Sequence, residues 1–257
     1  MCTNYVPSRG ERLQAFFDVA PPSVSMREQA YPGYLAPILR PGHGTDPADA
    51  TTQAVAACFG LIPSWSRDGK NFRFCYNARS ETVADKPSFR HAWRQGQRCV
   101  IPADAFFEPN YESGRPVRWR ISAADDTPLA LAGIWEAWRK PPAAIDGAPT
   151  GRQQLGPPEM ALIEQDWLIS FSMLTINADT HPVMRQFHAP GDEKRSVVML
   201  EPDEIQQWLF GPPEQAFEML HAYDAERLKA RPDPAPITQK PLKKQAPAIP
   251  VAQRKLL

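Results

Sequence analysis

Apolar positions recur along this chain at two spacings, and the shorter one dominates. Val117, Trp119 and Ile121 alternate with Arg118 and Arg120, the period of a strand that buries one face. Leu129–Trp138 and Trp167–Ile176 are longer apolar runs and predict the two longest strands. Gln53–Ile62 predicts another, stopped at Pro63-Ser64-Trp65. Shorter extended segments are predicted near Tyr34–Leu39, Phe72–Tyr76, Arg98–Ile101, Ala105–Phe107 and Ser196–Leu200. Helical spacing is confined to brief stretches. Ser8-Arg9-Gly10-Glu11 has the spacing of a capping box, with Leu13, Phe16 and Phe17 behind it. Ser88 opens a helical turn carrying Phe89, Ala92 and Trp93. Glu201–Leu209 and Pro213–His221 predict amphipathic helices. The pattern predicts an α+β fold: a single compact, β-rich domain of mostly antiparallel strands with short flanking helices.

Composition sets the boundaries of that domain. Residues 1–230 carry the core formers, interrupted by a Pro/Gly/Gln-rich insertion over 140–166 that reads as a surface excursion. The last segment, 231–257, is rich in proline and poor in core formers. Its basic residues (Arg231, Lys240, Lys243, Lys244, Arg254 and Lys255) face only Asp233, and it reads as a disordered tail. The 29 prolines of the chain argue for many loops and short elements. A formal charge of zero excludes a global field toward nucleic acid or membrane, so any polyanion site must be a local patch. The four cysteines, Cys2, Cys58, Cys75 and Cys99, lack metal-type pairing. No leader opens the chain and no apolar run approaches the length of a membrane span, so a soluble, cytoplasmic monomer is expected. In the cytosol thiols stay reduced.

The second residue then matters more than its position suggests. If Met1 is removed, Cys2 carries a free α-amine and a thiol on neighbouring carbons. Such a 1,2-aminothiol condenses with an aldehyde to a Schiff base, and its sulfur can close on the same carbon to a thiazolidine. Three further segments carry polar groups suited to that chemistry. Asn77 and Arg79 lie in Tyr76-Asn77-Ala78-Arg79-Ser80-Glu81 and offer an amide and a planar cationic fork. Taken alone, they also fit a helix-start loop with Asn77 as cap and Arg79 paired to Glu81. Glu108 follows the apolar Phe106-Phe107 and could sit half-buried, poised for proton transfer. A surface glutamate at a strand end is the plainer alternative. His181 and His188 share one stretch that leads to Arg195, which could bring a proton donor and a phosphate binder together.

In this order the segments resemble the SOS response-associated peptidase family, whose members shield abasic sites in single-stranded DNA. The resemblance spans roughly residues 1–210. It rests on Met1-Cys2, Gly60-Leu61-Ile62-Pro63-Ser64-Trp65, Asn77-Ala78-Arg79-Ser80-Glu81-Thr82, Arg98-Cys99-Val100-Ile101-Pro102-Ala103, Phe107-Glu108, and the His188 stretch leading to Arg195. It implies that Cys2 is the nucleophile once Met1 is lost. It implies that Asn77 positions the Cys2 amine or the opened sugar, that Glu108 transfers protons, and that His188 assists ring opening. Arg79 and Arg195 would hold phosphates flanking the abasic sugar, and Trp65 would stack on a base. The implied partner is single-stranded DNA containing abasic sites, with no metal and no organic cofactor. Three departures stand out. Asn4 replaces an arginine common in the family, Pro109 replaces a tryptophan, and the segment from His188 to Arg195 is longer than the compact His-x-Arg form, which leaves His181 as a rival to His188. Two other functions stay open at this point: a thiol peptidase acting on its own N-terminus or other peptides, and a non-covalent single-strand binder.

Overall fold

A computed structural model of the chain describes residues 2–42, 51–139 and 167–233. The elements, in chain order, are β1 (Tyr5–Pro7), α1 (Glu11–Phe17), β2 (Leu35–Pro41), β3 (Thr52–Phe59), β4 (Asn77–Arg79), α2 (Arg90–Arg94), β5 (Arg98–Asn110), β6 (Val117–Ala123), β7 (Leu129–Arg139), β8 (Trp167–Asn177), β9 (Arg195–Val197), β10 (Met199–Leu200), α3 (Glu204–Phe210) and β11 (Leu228–Pro232). Hydrogen bonding runs β7–β8–β3–β2–β5 and returns from β5 to β7, closing a five-stranded barrel. Closure leaves those strands no open edge. Pairing is antiparallel except where β8 takes β3 and β4 in parallel, so the expected α+β class, β-rich and mostly antiparallel, is what forms.

The long strand β5 links the barrel to the rest. Its first half pairs with β7 from Arg98↔Ile134 to Ala103↔Leu129. Its second half carries β6 on one edge, through Glu108↔Trp119, and β1 on the other, through Tyr5↔Phe106. The N-terminal segment is thereby laid beside Phe107 and Glu108. The shared sheet continues through β6 to β11.

Two apolar clusters follow from the strand period. The first draws Ile38, Phe59, Ile101, Leu131 and Phe171 from the five barrel strands, and Cys2 and Tyr5 join it. Residues one position out of phase, such as Val100, Ala132 and Leu174, form the second, which is capped by Leu13 of α1, Trp93 of α2 and Trp208 of α3. The apolar face of each short helix is what holds it, since helices of five to seven residues are not stable alone.

Several local expectations are corrected. Ser8 does not cap α1; its hydroxyl donates to Asp104, and Gly10 occupies the cap at a positive φ of 54°. Lys70–Arg73 is a 3-10 turn instead of part of an extended segment. The two short strands predicted around residues 98–107 are one strand, continuous through Pro102. β3 stops at Phe59, short of the predicted Ile62. Gly60 turns the chain there at φ 107°, and a Cβ at that position would lie 2.2 Å from the Phe72 carbonyl oxygen. Pro213–His221 forms only a 3-10 turn at Pro213–Gln215. β11 carries ordered pairing through Pro232, and the insertion at 140–166 and residues 234–257 of the expected tail lie outside the described residues.

Candidate active site

Cys2 is fully buried within the first cluster. Its carbonyl accepts a 2.8 Å hydrogen bond from Asn77 Nδ2, and its thiol donates to the Asn4 carbonyl at 3.4 Å. Asn77 reaches Cys2 because β4 lies parallel to β8, with Asn77 opposite Met173. The bland reading of Asn77 as a helix cap therefore does not describe it. Asn77 Oδ1 is buried and has no hydrogen-bond partner. Burial pushes the Cys2 thiol up to about 12, and the nearby Glu108 carboxylate adds to the rise; backbone bonds from Asn4 and Phe107 pull weakly the other way.

Glu108 is buried as well, and its Oε2 lies 3.1 Å from His188 Nε2. That contact is an ion-pair approach without hydrogen-bond alignment, and His188 Nδ1 has no partner. The backbone explains the arrangement. His188 N–H donates to the Pro109 carbonyl at 2.9 Å, and Asn110 Nδ2 donates to the Gln186 carbonyl at 3.1 Å. The end of β5 thus grips the residues around His188 and holds it at φ 67°, in the left-handed region rare for residues other than glycine. Cys2, Asn77, Glu108 and His188 form one contiguous buried group.

His181 is built differently. Its Nδ1 accepts from the amides of Val183 and Met184, both at 3.1 Å, and its Nε2 lies 2.9 Å from the Tyr223 carbonyl. Both ring nitrogens are committed to backbone, which fixes Nε2 as the protonated one. Of the two rival histidines, His188 is the one beside Glu108.

The cationic residues lie on the strands flanking β8. Arg79 Nη1 donates to Glu193 Oε2 at 2.7 Å, and Arg79 is exposed. Arg195, opposite Asn177 on β9, is only 2% exposed. It clasps Glu81 through two bonds of 2.8 and 2.9 Å, donates to Glu193 Oε1 at 2.7 Å, and donates to the Thr175 carbonyl at 2.7 Å. The Arg79–Glu81 pairing open from sequence is thus replaced by a crossed arrangement through Glu193. Trp65 is 56% exposed, with Nε1 donating to the Pro87 carbonyl at 3.3 Å.

Three side chains that sequence reasoning passed over also belong to the neighbourhood. Arg118 lies flat over the Phe107 ring, 3.4 Å from its centre, and donates to Asn4 Oδ1 (2.8 Å) and Gln29 Oε1 (2.9 Å). A guanidinium from β6 therefore stands beside Asn4, the position where the family commonly has its own arginine. The strict alternation of β6 marked Arg118 only as a polar-face residue. Glu136 is buried on β7, accepts from the Ser64 amide at 3.0 Å and lies 3.0 Å from His91 Nδ1, so it anchors the turn that presents Trp65. Its signal was a lone carboxylate inside the apolar run of β7. Glu193 had no sequence signal beyond its place near Arg195. Among the described residues no group of three or more His, Cys, Asp or Glu is placed to hold a metal ion, and no helix is long and apolar enough to cross a membrane.

Comparison with known proteins bears on this geometry. The profile of the family described as SOS response associated peptidase (SRAP) matches residues 1–237. The abasic site processing protein YoqW of Bacillus subtilis is 28% identical over 176 residues, covering 67% of this chain and 65% of YoqW. The abasic site processing protein HMCES of Xenopus tropicalis is 26% identical over 209 residues, covering 72% of this chain and 54% of HMCES. The chain thus spans between half and two thirds of these curated relatives. A crystal structure of a Bordetella bronchiseptica protein superimposes with a TM-score of 0.73 at 32% identity, covering 91% of this chain and all of that one. A Bacteroides thetaiotaomicron structure shares the fold at a TM-score of 0.66 and 19% identity, covering 89% and 90% of the two chains. With a family profile that takes in the barrel, the buried Cys2 group and both arginine strands, the chain belongs to the SRAP family.

Proposed function

We propose that the protein processes abasic sites in DNA by capturing them covalently, in single strands, through Cys2 after Met1 is lost. The observation that carries this reading is the buried group itself: Asn77 holds the Cys2 carbonyl at 2.8 Å, and Glu108, paired with His188 at 3.1 Å, is near enough to the Cys2 thiol for its charge to raise the thiol's pKa. The names of the relatives as abasic site processing proteins support the substrate.

An abasic deoxyribose equilibrates with a ring-opened aldehyde. The α-amine of Cys2 adds to C1′, and water leaves as the imine forms. Glu108 and His188 supply and take up the protons of ring opening and dehydration. The thiol then adds across the C=N bond: sulfur bonds to C1′, and the S–H proton ends on nitrogen. Asn77 fixes the backbone of the nucleophile, so amine, thiol and aldehyde react as neighbours. Trp65 offers a stacking surface to a base, and Arg79 faces the strand.

A thiol peptidase of the Cys-His-Asn type fits this site less well. Such an enzyme attacks as a thiolate, and its histidine contacts the sulfur. Here burial holds the thiol protonated, and His188 contacts Glu108 instead. Amine-first chemistry needs no thiolate.

The test is intact-mass measurement before and after mixing with an abasic single-stranded oligonucleotide. The reading expects a protein lacking Met1 and a denaturant-stable adduct that Cys2→Ala abolishes. An adduct-free outcome with Met1 absent would sink covalent capture, and reversible binding surviving Cys2→Ser would leave a plain strand binder.

A further inference from the structure

Two guanidinium groups on the strands that flank β8 converge on one carboxylate. Glu193 Oε2 takes Arg79 at 2.7 Å and its Oε1 takes Arg195 at 2.7 Å, while Asn177 Nδ2 reaches Oε1 at 3.4 Å. That is the donor set that suits a phosphate, with two planar forks and an amide meeting on one oxyanion. We propose that Glu193 is a resident stand-in for a DNA phosphate, and that it sets how tightly the Arg79–Arg195 site holds a strand. The proposal rests on the single-strand capture reading and adds the residue that tunes the strand's affinity.

Four observations carry it. Arg195 keeps its place without Glu193, because Glu81 and Thr175 hold it from the other side. The foot of the Glu193 loop is fixed independently: the Lys194 amide donates to Asp179 Oδ1 at 2.9 Å, and the Lys194 carbonyl accepts from Ala178 at 2.8 Å. Lys194 Nζ ties the start of the loop through the His188 and Ala189 carbonyls, at 3.2 and 2.8 Å, but its tip has room, with Gly191 in a left-handed turn and no atom within 4 Å of where its Cβ would stand. Glu193 can therefore swing aside while Arg195 stays. Charge makes the fourth point. Arg79 and Arg195 are balanced by Glu81 and Glu193, so the four together offer a phosphate no net attraction. Removing Glu193 from the gap leaves one positive charge for the incoming anion.

Glu193 is anionic throughout the neutral range, because its bond to Arg195 holds its carboxyl below the usual carboxylate range. It therefore competes at every working pH. The Arg79–Glu193 half of the exchange costs little, since exposed ion pairs are worth little in water. A strand with intact bases then binds weakly and leaves. An abasic strand is retained by the covalent step, so selectivity falls to Cys2 instead of to the phosphate contacts.

The experiment uses a single-stranded oligonucleotide with a tetrahydrofuran abasic analogue, which has no aldehyde and reports reversible binding alone. Fluorescence anisotropy over a salt series compares the wild type with Glu193→Gln, Glu193→Ala and Glu218→Gln, the last removing the same charge from an exposed position in a different segment. Both Glu193 variants are expected to bind about 3- to 10-fold tighter at low salt, with a salt slope steeper by about 0.7, the increment for one added single-strand phosphate contact. Glu218→Gln is expected to match the wild type. Unchanged or weaker binding by both Glu193 variants, or an equal gain in Glu218→Gln, overturns the proposal. The natural abasic oligonucleotide is run in parallel. A wild type that forms no adduct there removes the capture reading, while the tetrahydrofuran series still decides the role of Glu193.

Discussion

His188 and Glu108 meet where neither side chain has much water to rely on, and the backbone at φ 67° keeps them together. The proposed capture assigns this pair the proton transfers. Glu108→Gln preserves shape and removes the proton acceptor. Adduct formation, followed by denaturing gel, is expected to slow by about 10²-fold or more; a rate equal to the wild type would take Glu108 out of the chemistry. Asn77→Ala leaves the Cys2 carbonyl without its donor, and a loss of about 1–2 kcal/mol in urea unfolding is expected together with slower capture. Gly60 is constrained differently. Gly60→Ala forces a side chain into a left-handed turn and against the Phe72 backbone, and a loss of about 2 kcal/mol or more is expected by the same unfolding measurement. Sequence alone leaves His181 and His188 as rivals, because type and neighbourhood do not say which ring nitrogens the backbone will consume. Only the folded turn at 183–184 commits His181.

At the scale of elements, apolar runs were legible and pairings were not. β7 and β8 are long enough to declare themselves by composition. β4 is not: Asn77-Ala78-Arg79 has no strand signature, and it becomes a strand because β8 offers it the edge from Met173 to Thr175. The apolar pattern splits β5 into two short segments, yet Pro102 sits in one continuous strand and its carbonyl accepts from the Ser8 amide at 3.0 Å. The link between β9 and the turn after β4 carries a pH signature. The Arg195 hydrogen bond holds the Glu81 carboxyl below its ordinary value of 4.5. A depressed carboxylate contributes stability that is complete above the unfolded value and is lost as pH falls through the folded one. Glu81→Gln is therefore expected to lower thermal stability slightly at pH 7, and the difference is expected to shrink as pH falls below 4.5 and to vanish once it has passed the folded value, read as Tm against pH; a difference that stays undiminished in acid would place the effect elsewhere. Because Glu81 is half exposed, the expected change is small.

For the whole molecule, the class was legible and the closure was not. Strand count and spacing point to a β-rich domain, but the return of β5 to β7 and the parallel docking of β3 on β8 join segments that no local pattern connects. The four cysteines illustrate the same division. Spacing shows only that they lack metal-type pairing, while their burial comes from the packing: Cys2, Cys58, Cys75 and Cys99 are all free and all inside. Burial also lifts the Cys99 thiol well above its usual range. In a thiol titration at pH 7.5 the folded protein is expected to react over hours and the denatured protein to release four thiols within minutes. A native thiol reacting at the denatured rate would contradict the Cys2 environment described above.

The burial of Cys2 also has a consequence for the timing of its maturation. The groups that enclose it, Phe107 and Glu108 on β5 and Asn77 on β4, lie far downstream in the chain. A ribosome adding about 5–20 residues per second needs on the order of 5–20 s to produce them. During that interval β1 lacks its partner strand β5, and Cys2 lacks the groups of β4 and β5 that enclose it. Trimming of the N-terminus by an outside enzyme is thus favoured while the chain is still being made and disfavoured once β5 has been laid down. Under the proposed capture by Cys2, chain order leaves the N-terminus open to such trimming before the finished barrel closes over it.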